Sequence, residues 1–493
     1  MKGFGVGLLP ALVASILVAQ TRVPRVWDEK GFAGWQLPIA GQEFTAGHFT
    51  EEEYYRAPIE NVRTYPVYAP NREPEGYWRF LNTIGPKPLI EAEKLETRRE
   101  WVDAGQRVFE EFDFVPSRRY DPELIRKLRS RAYFTERKIE PLPDGALPDV
   151  RWVVTQKGIG ISVRECAGCH LRWVPGPGTG GKPYYGAPEN MPFPNFNFNF
   201  VDLGAGVYLP RGDDSAAIRW RSHFVPWISN DIHARVKTMT NKEWEAWDTA
   251  SNGTGMQARW DGSIYYPTKI PDLIGIKDRK FFDHTATHRH RGIEDLMRYA
   301  AQVTSADSPH FGPYDIVPRA DRRVPYRLSD EALYAMAMYI YSLEPPPNPN
   351  RFDATAAAGQ KIFTANCAGC HTPPQYTNNK LTLAKGFKPD AANPDVMPVS
   401  VGTDPGGAML TRKGTGYYKV PSLKGVWYRG RFLHDGSLAS LEEMFDPTRL
   451  QPDFEPGGWN PPGVKKRAVA GHEFGLKLSA QERVQLIAFL KTL

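Results

Sequence analysis

All four cysteines of this 493-residue chain fall in two copies of one pentapeptide: Cys166, Ala, Gly, Cys169, His170, and again Cys367, Ala, Gly, Cys370, His371. Two thiols one helical turn apart can add across the two vinyl groups of a haem, and the adjacent imidazole then turns onto the iron. Zinc would need four ligands gathered at each site, and a redox dithiol has no use for the trailing His. With 4 Cys and 11 His in the chain, one chance match is expected on the order of once per thousand such chains. Two matches with no stray cysteine make haem attachment the reading. Cys166, Cys169, Cys367 and Cys370 are therefore expected to hold two covalently attached haem c groups, with His170 and His371 as proximal iron ligands.

Covalent haem attachment takes place outside the bacterial cytoplasm, and the amino terminus agrees. Lys2 supplies a positive charge and residues 4–19 an apolar stretch with one Pro, so residues 1–20 are expected to be a signal peptide or a retained N-terminal anchor. The stretch falls short of the ~20 residues a comfortable span needs. A periplasmic or extracellular location follows. The net charge of +6 is small for this length and spread along the chain. It suits an acidic electron-transfer partner and shows no basic cluster of the kind nucleic acid requires.

The chain also repeats itself. A shift of 150 residues places Lys269, Pro271, Leu273, Gly275, Arg279, Phe282 and His284 on Lys419, Pro421, Leu423, Gly425, Arg429, Phe432 and His434, and residues 328–343 on 478–493. Upstream of each haem motif stands a second helix signal, Gly105 with Phe109 and Gly359 with Phe363. A small residue and an aromatic four apart share one helix face, the Gly allowing close approach and the aromatic filling the crossing. Phe363 against Phe489 is the expected contact.

The expected fold is mainly α with little β structure: two class I cytochrome c-like domains in tandem. Their limits are read as 100–345 and 346–493, after an aromatic, Pro-rich extension at 21–99, with the Pro-rich run at 345–349 between them. The first domain is enlarged by two insertions. Phe109 precedes Cys166 by 57 residues where Phe363 precedes Cys367 by 4, and His170 precedes Lys269 by 99 where His371 precedes Lys419 by 48. Long insertions in a compact scaffold are more often functional than idle. One holds Tyr184, Tyr185 and the run 191–200, which either wraps the domain or lines a cavity beside the first haem.

The axial partner of each iron decides function: two strong protein ligands move electrons, whereas an open face binds oxygen or peroxide. In the segment before the final helix only His472 can ligate the second haem; Met397 and Met409 are the alternatives. The same register in the first domain gives Arg322, which cannot ligate iron. His310, His223, His233, His284, His288 and His290 remain as other candidates there.

The two haem motifs, residues 420–426, residues 431–437 and residues 441–443 resemble the bacterial di-haem cytochrome c peroxidase superfamily, which includes quinone-cofactor maturases and rubber oxygenases. The resemblance is specific in the second domain and loose in the first, and does not cover residues 21–99 or the insertions. It implies a reactive haem in the first domain, a relay haem in the second and aromatic residues between them, Trp227 and Trp260 being candidates. Two departures stand out: no His lies between Leu171 and Ser222 to serve as a displaceable ligand, and His472 replaces the usual Met. The first leans toward permanently open members; the second implies a lower relay potential. The resemblance also allows an interface calcium ion, for which no dense carboxylate loop is present.

The expected activity is that of a di-haem oxidoreductase. The first haem reacts with peroxide or dioxygen, polarised by Arg279, His284 or His288, and the second exchanges electrons with a small redox protein or another periplasmic donor or acceptor. The competing reading is a non-enzymatic electron carrier with both irons six-coordinate.

Overall fold

The computed structural model describes residues 23–113, 120–137, 139, 141–163, 166–175, 181–188, 215–253, 255–258 and 262–493. The expected leader at 1–20, the run 191–200 and Trp260 lie outside them.

Two helix crossings organise the molecule. Helix α1 (Arg98–Glu111) packs on α3 (Asp330–Ser342), which follows α2 (Ile293–Thr304); α4 (Ala354–Asn366) packs on α5 (Ala480–Lys491). Each begins where its sequence says it should. Thr97 and Ser479 close capping boxes with Glu100 and Glu482, and the Ser329 and Asp353 side chains accept from the amides of Ala332 and Ala356.

The crossings are close because glycine stands at each contact. A Cβ on Gly105 would lie 1.8 Å from the Ala335 carbonyl oxygen, and one on Gly359 would lie 1.9 Å from that of Gln485. Beside these points Phe109 meets Tyr339 at 5.5 Å between ring centroids, and Phe363 meets Phe489 at 5.1 Å. Ala335 and Gln485, like Tyr339 and Phe489, are one repeat apart, so the same crossing is built twice.

The repeats also clasp each other. The amide of Lys269 donates to the carbonyl of His434, and the amide of Lys419 to the carbonyl of His284, both at 3.0 Å. Each bond is the other's image under the 150-residue shift.

Helices predominate, but β structure is more extensive than the expectation of little β. Strands β1 (Thr64–Tyr68), β2 (Ala146–Thr155) and β3 (Gly158–Val163) form an antiparallel sheet in that order. Val150, Trp152 and Val154 of β2 pack with Ile161 of β3 and with Leu124 and Leu128 in a small core of their own. The described part of the long insertion before Cys166 thus carries two short helices, Pro122–Leu128 and Arg131–Arg137, and this hairpin. Its signal was β-branched residues on both sides of Gly158, which turns the chain at φ 104°. A second sheet pairs Leu381–Leu383 with Val396–Ser400 and Tyr417–Lys419.

The extension at 21–99 divides between these cores. Trp27, Phe49 and Tyr54 are buried with Ala167, Phe282 and Met336 around the first crossing, whereas β1 and Leu81 belong to the hairpin core. No helix among the described residues is long and apolar enough to cross a membrane.

Candidate haem centres

At the second motif, α4 ends on Cys367, whose amide donates to Phe363 O at 2.8 Å, and the His371 amide donates to Cys367 O at 2.9 Å. This final turn places both thiols and the imidazole on one side. Burial pushes the Cys367 thiol up to about 11, with Cys370 adding to the effect; a reactive dithiol needs the opposite. The His371 ring is buried, and its Nδ1–H donates to Pro421 O at 3.1 Å and to Tyr376 O at 3.3 Å. That fixes the tautomer and leaves Nε2 with its lone pair. Burial also holds the ring's pKa below the ordinary histidine value.

His472 stands across from it, the ring centroids 6.3 Å apart and the planes at 55°. Two imidazoles sharing one metal ion at about 2 Å from each nitrogen place their centroids about 6 Å apart, so this pair fits an iron between them. Desolvation, reinforced by His371, lowers the His472 pKa to about 4. The methionine alternatives are engaged elsewhere: Met397 Sδ accepts from Asn378 Nδ2 at 3.1 Å, and Met409 packs against Ala384, Ala408 and Tyr418.

The loop that carries His472 is tightly held. Gly471 and His472 both have positive φ, 84° and 46°. A Cβ on Gly471 would lie 2.2 Å from Thr403 N, and the His472 amide donates to Val401 O at 2.6 Å. From behind, the fully buried Arg449 donates to Met444 O at 3.1 Å, Gly471 O at 2.8 Å and His472 O at 2.9 Å, and also to Val469 O. Sequence reasoning missed Arg449; nothing in its local pattern sets it apart from the other arginines.

At the first motif Cys166–Cys169 forms one helical turn, and the His170 amide donates to Cys166 O at 2.9 Å. Met336 of α3, also unforeseen, brings its Sδ to 3.8 Å from Cys166 Sγ. At the position one repeat before His472, Arg322 is paired with Asp315 and donates to Val317 O at 3.3 Å. Tyr185 meets Phe109 edge-on at 6.4 Å. His233 is committed to Asp231, at 2.8 Å, and to Ser263, and His223 stacks on it at 6.5 Å. Trp227 lies against Phe44, Phe311 and Tyr314.

Of the three residues expected to assist at the reactive iron, the structure brings Arg279 and His284 to one cavity and leaves His288 apart. His284 donates through Nε2–H to Lys269 O at 2.9 Å, and burial, with Lys419 and Lys269 adding to it, holds its pKa well below the ordinary value. The buried His288 ring lies between Asp283 Oδ2 at 3.2 Å and Gln36 Nε2 at 3.0 Å.

The cavity has room for about 50 Å³ of water-sized molecules and is lined by both repeats: Lys269, Pro271, Asp272 and Arg279 on one side, Lys419, Pro421 and Arg429 on the other. Burial lowers Lys269 and Lys419 to about 7 each, with neighbouring cations contributing. Asp272 lies 3.7 Å from both Arg279 and Arg429 and accepts from Tyr428 Oη at 3.0 Å. Asp272, with Asp283 acting on Lys419, leaves the two arginines and the partly protonated lysines with an excess of positive charge, and buried excess charge is costly. The cavity therefore fits anionic groups such as the carboxylates that haem carries. Its signal was on the page: the cations and prolines are those that survive the 150-residue shift. Among the described residues no group of three or more His, Cys, Asp or Glu is placed to hold a metal ion, so none is assigned to calcium.

No family model matches the chain. It is 26% identical over 162 residues to the cytochrome-c peroxidase IdrP1 of Denitromonas iodatirespirans, covering 28% of this chain and 40% of that protein. It is 30% identical over 145 residues to the methylamine utilization protein MauG of Methylorubrum extorquens, covering 28% and 35%. The match spans less than half the length of either relative. Among solved structures, hydrazine synthase of Kuenenia stuttgartiensis aligns with a TM-score of 0.30 at 16% identity over 56% of this chain and 91% of that one. A MauG-like protein associated with microbial copper homeostasis aligns at 0.27 and 16%, over 58% and 89%. The sequence likeness is thus to one protein named as a cytochrome-c peroxidase and to one named as MauG. Both agree with the resemblance of the cysteine motifs to the di-haem cytochrome c peroxidase superfamily.

Proposed function

We propose that this chain is a periplasmic di-haem oxidoreductase of two tandem cytochrome c-like domains. The haem held by Cys166, Cys169 and His170 reacts with peroxide or dioxygen, and the haem held by Cys367, Cys370 and His371 relays electrons to it from a redox partner. The observation that carries the reading is an asymmetry between otherwise equivalent repeats. His472 faces His371 across a span that suits one iron, whereas its register equivalent Arg322 cannot ligate and is paired with Asp315. Two different irons in one scaffold suit a reactive site fed by a relay better than a carrier with two like centres.

When bound, the haems supply the one-electron chemistry and the site at which an O–O bond is reduced. The protein's own groups do the rest. Pro421 O and Tyr376 O orient His371 and make it a stronger donor; Arg449 holds His472 in place; and the cavity cations attract and compensate anionic groups at the boundary between the repeats.

The experiment is an electron paramagnetic resonance spectrum of the oxidised holoprotein, repeated with His472→Ala. One high-spin and one low-spin ferric signal, the low-spin signal lost in the variant, is the expected result. Two low-spin signals that persist at half-reduction would replace this reading with the electron carrier.

A further inference from the structure

A continuous line of rings runs through the first core. Tyr341 on α3 meets His290 at 5.7 Å between centroids, His290 meets Phe282 at 4.7 Å, Phe282 stacks on Tyr299 at 4.8 Å, and Tyr299 meets His288 at 5.1 Å. The line continues from His288 to Trp35 at 4.6 Å, to Phe32 at 5.7 Å and to Trp27 at 5.1 Å, then to Tyr54 at 4.5 Å and Tyr55 at 5.1 Å. Tyr341, Phe282 and Tyr299 share one hydrophobic cluster with Cys166, Ala167 and Met336, as do Trp27, Tyr54 and Tyr55. The line starts on α3, the helix whose Met336 Sδ lies 3.8 Å from Cys166 Sγ, and ends in the extension that matches neither repeat. Trp27, Trp35 and Tyr54 are fully buried, whereas Tyr55 is only partly buried, beside the surface pair of Arg25 and Glu51.

Packing alone accounts for buried aromatics, but not for the polar groups at the two ends. His290 donates through Nδ1–H to Arg279 O at 2.9 Å, so its Nε2 carries the lone pair and accepts from Tyr341 O–H. At the other end Tyr55 O–H donates to Asp330 Oδ2 at 2.9 Å. A phenol loses an electron readily only if its proton has somewhere to go, and these two tyrosines each have a fixed base. Tyr54 between them has none: its hydroxyl is buried without a hydrogen-bond partner. Arg25 and Arg327 lie over the Tyr55 ring at 4.1 and 4.9 Å. They oppose a charged radical there and make release of the proton to Asp330 a requirement.

We propose that this line conducts oxidising equivalents from the first haem to Tyr55, making the N-terminal extension a second, surface site of one-electron oxidation. The proposal rests on the reading that the first haem reduces peroxide. Hydrogen peroxide takes two electrons and two protons and leaves as two waters. Each electron is replaced from the next Tyr or Trp outward, the Phe and His rings serving only as short bridges between them, until Tyr55 is left as a neutral radical with its proton on Asp330. An external one-electron donor and the proton held on Asp330 then restore Tyr55, and two such turns supply the two electrons that peroxide takes, its two protons coming from water.

The test uses the holoprotein, hydrogen peroxide and a nitroso spin trap, with the trapped residue located by peptide mass spectrometry and peroxide consumption followed in parallel. A trap adduct on Tyr55 is expected in the wild type, lost in Tyr55→Phe and in Trp35→Phe while peroxide consumption persists in both. Peroxide consumed with no adduct on Tyr55, or an adduct undiminished in Trp35→Phe, overturns the relay alone. No consumption of peroxide by the wild type overturns the reading of the first haem and the relay with it.

Discussion

Arg449→Met isolates the support of His472, the proposed distal ligand of the second haem, without touching it. The guanidinium donates to four backbone carbonyls, two of which, Gly471 and His472, belong to the ligand's own turn. Methionine fills a similar volume but donates to none. A buried carbonyl left without a donor costs about 1–3 kcal/mol. Relief of the arginine's own desolvation offsets part of the total, so the net loss for the His472 turn is about 2–4 kcal/mol. At 1.4 kcal/mol per decade, the population with His472 swung off the iron rises about 30- to 700-fold. The strain of His472 sharpens the effect, since its positive φ gives the freed turn reason to relax. The assay is the low-spin share of the oxidised spectrum together with the rate at which cyanide binds the second haem. A lower low-spin share and faster binding are expected. Wild-type values for both would refute the role of Arg449 in holding the ligand.

Three further outcomes follow. Gly359→Ala must push α4 off α5, because its Cβ would lie 1.9 Å from Gln485 O where ordinary contacts begin at 3.4 Å; a loss of about 3 kcal/mol, the upper end of the usual cost of overpacking, is expected in thermal unfolding, and Gly105→Ala should match it. Asp283 is held down to about 2 from 3.8, desolvation being outweighed by its bonds to His288 and Thr287. Its stabilisation, about 2 kcal/mol, is present above the unfolded pKa and lost as pH falls through 2, so Asp283→Asn should be destabilised at neutral pH and match the wild type near pH 2. Mass spectrometry of the denatured protein should show two haems per chain, and one for Cys367→Ala with Cys370→Ala.

The parts of the molecule that local pattern controls were legible. A Gly with an aromatic four residues on marked each crossing helix, and the pairing of Phe363 with Phe489 followed from it. The cysteine motifs pointed to His170 and His371 and elimination to His472, and His371 and His472 do face each other. What stayed hidden depends on distant contacts. Arg449 is set apart only by the carbonyls of a turn about 20 residues away, and the aromatic line joins residues 27–55 to residues 282–341, which no periodicity links. The hairpin of β2 and β3 was missed for a different reason: an insertion defined by subtraction carries no expectation of its own. His288 was taken for a reactive group because it stands near His284, but its nitrogens face Asp283 and Gln36.

The reciprocal bonds between Lys269 and His434 and between Lys419 and His284 have the form of an isologous contact, in which the same patch serves both partners. The molecule is in that sense a homodimer whose subunits have been joined end to end and then allowed to differ. Fusion removes the constraint that makes the two halves of a true dimer change together. On the proposed reading, one repeat carries an iron ligand at His472 where the other has Arg322, and the insertions and the aromatic extension stand on one side only. Chains severed in the 345–349 segment should therefore still find each other, since the bonds between the repeats do not run through the link.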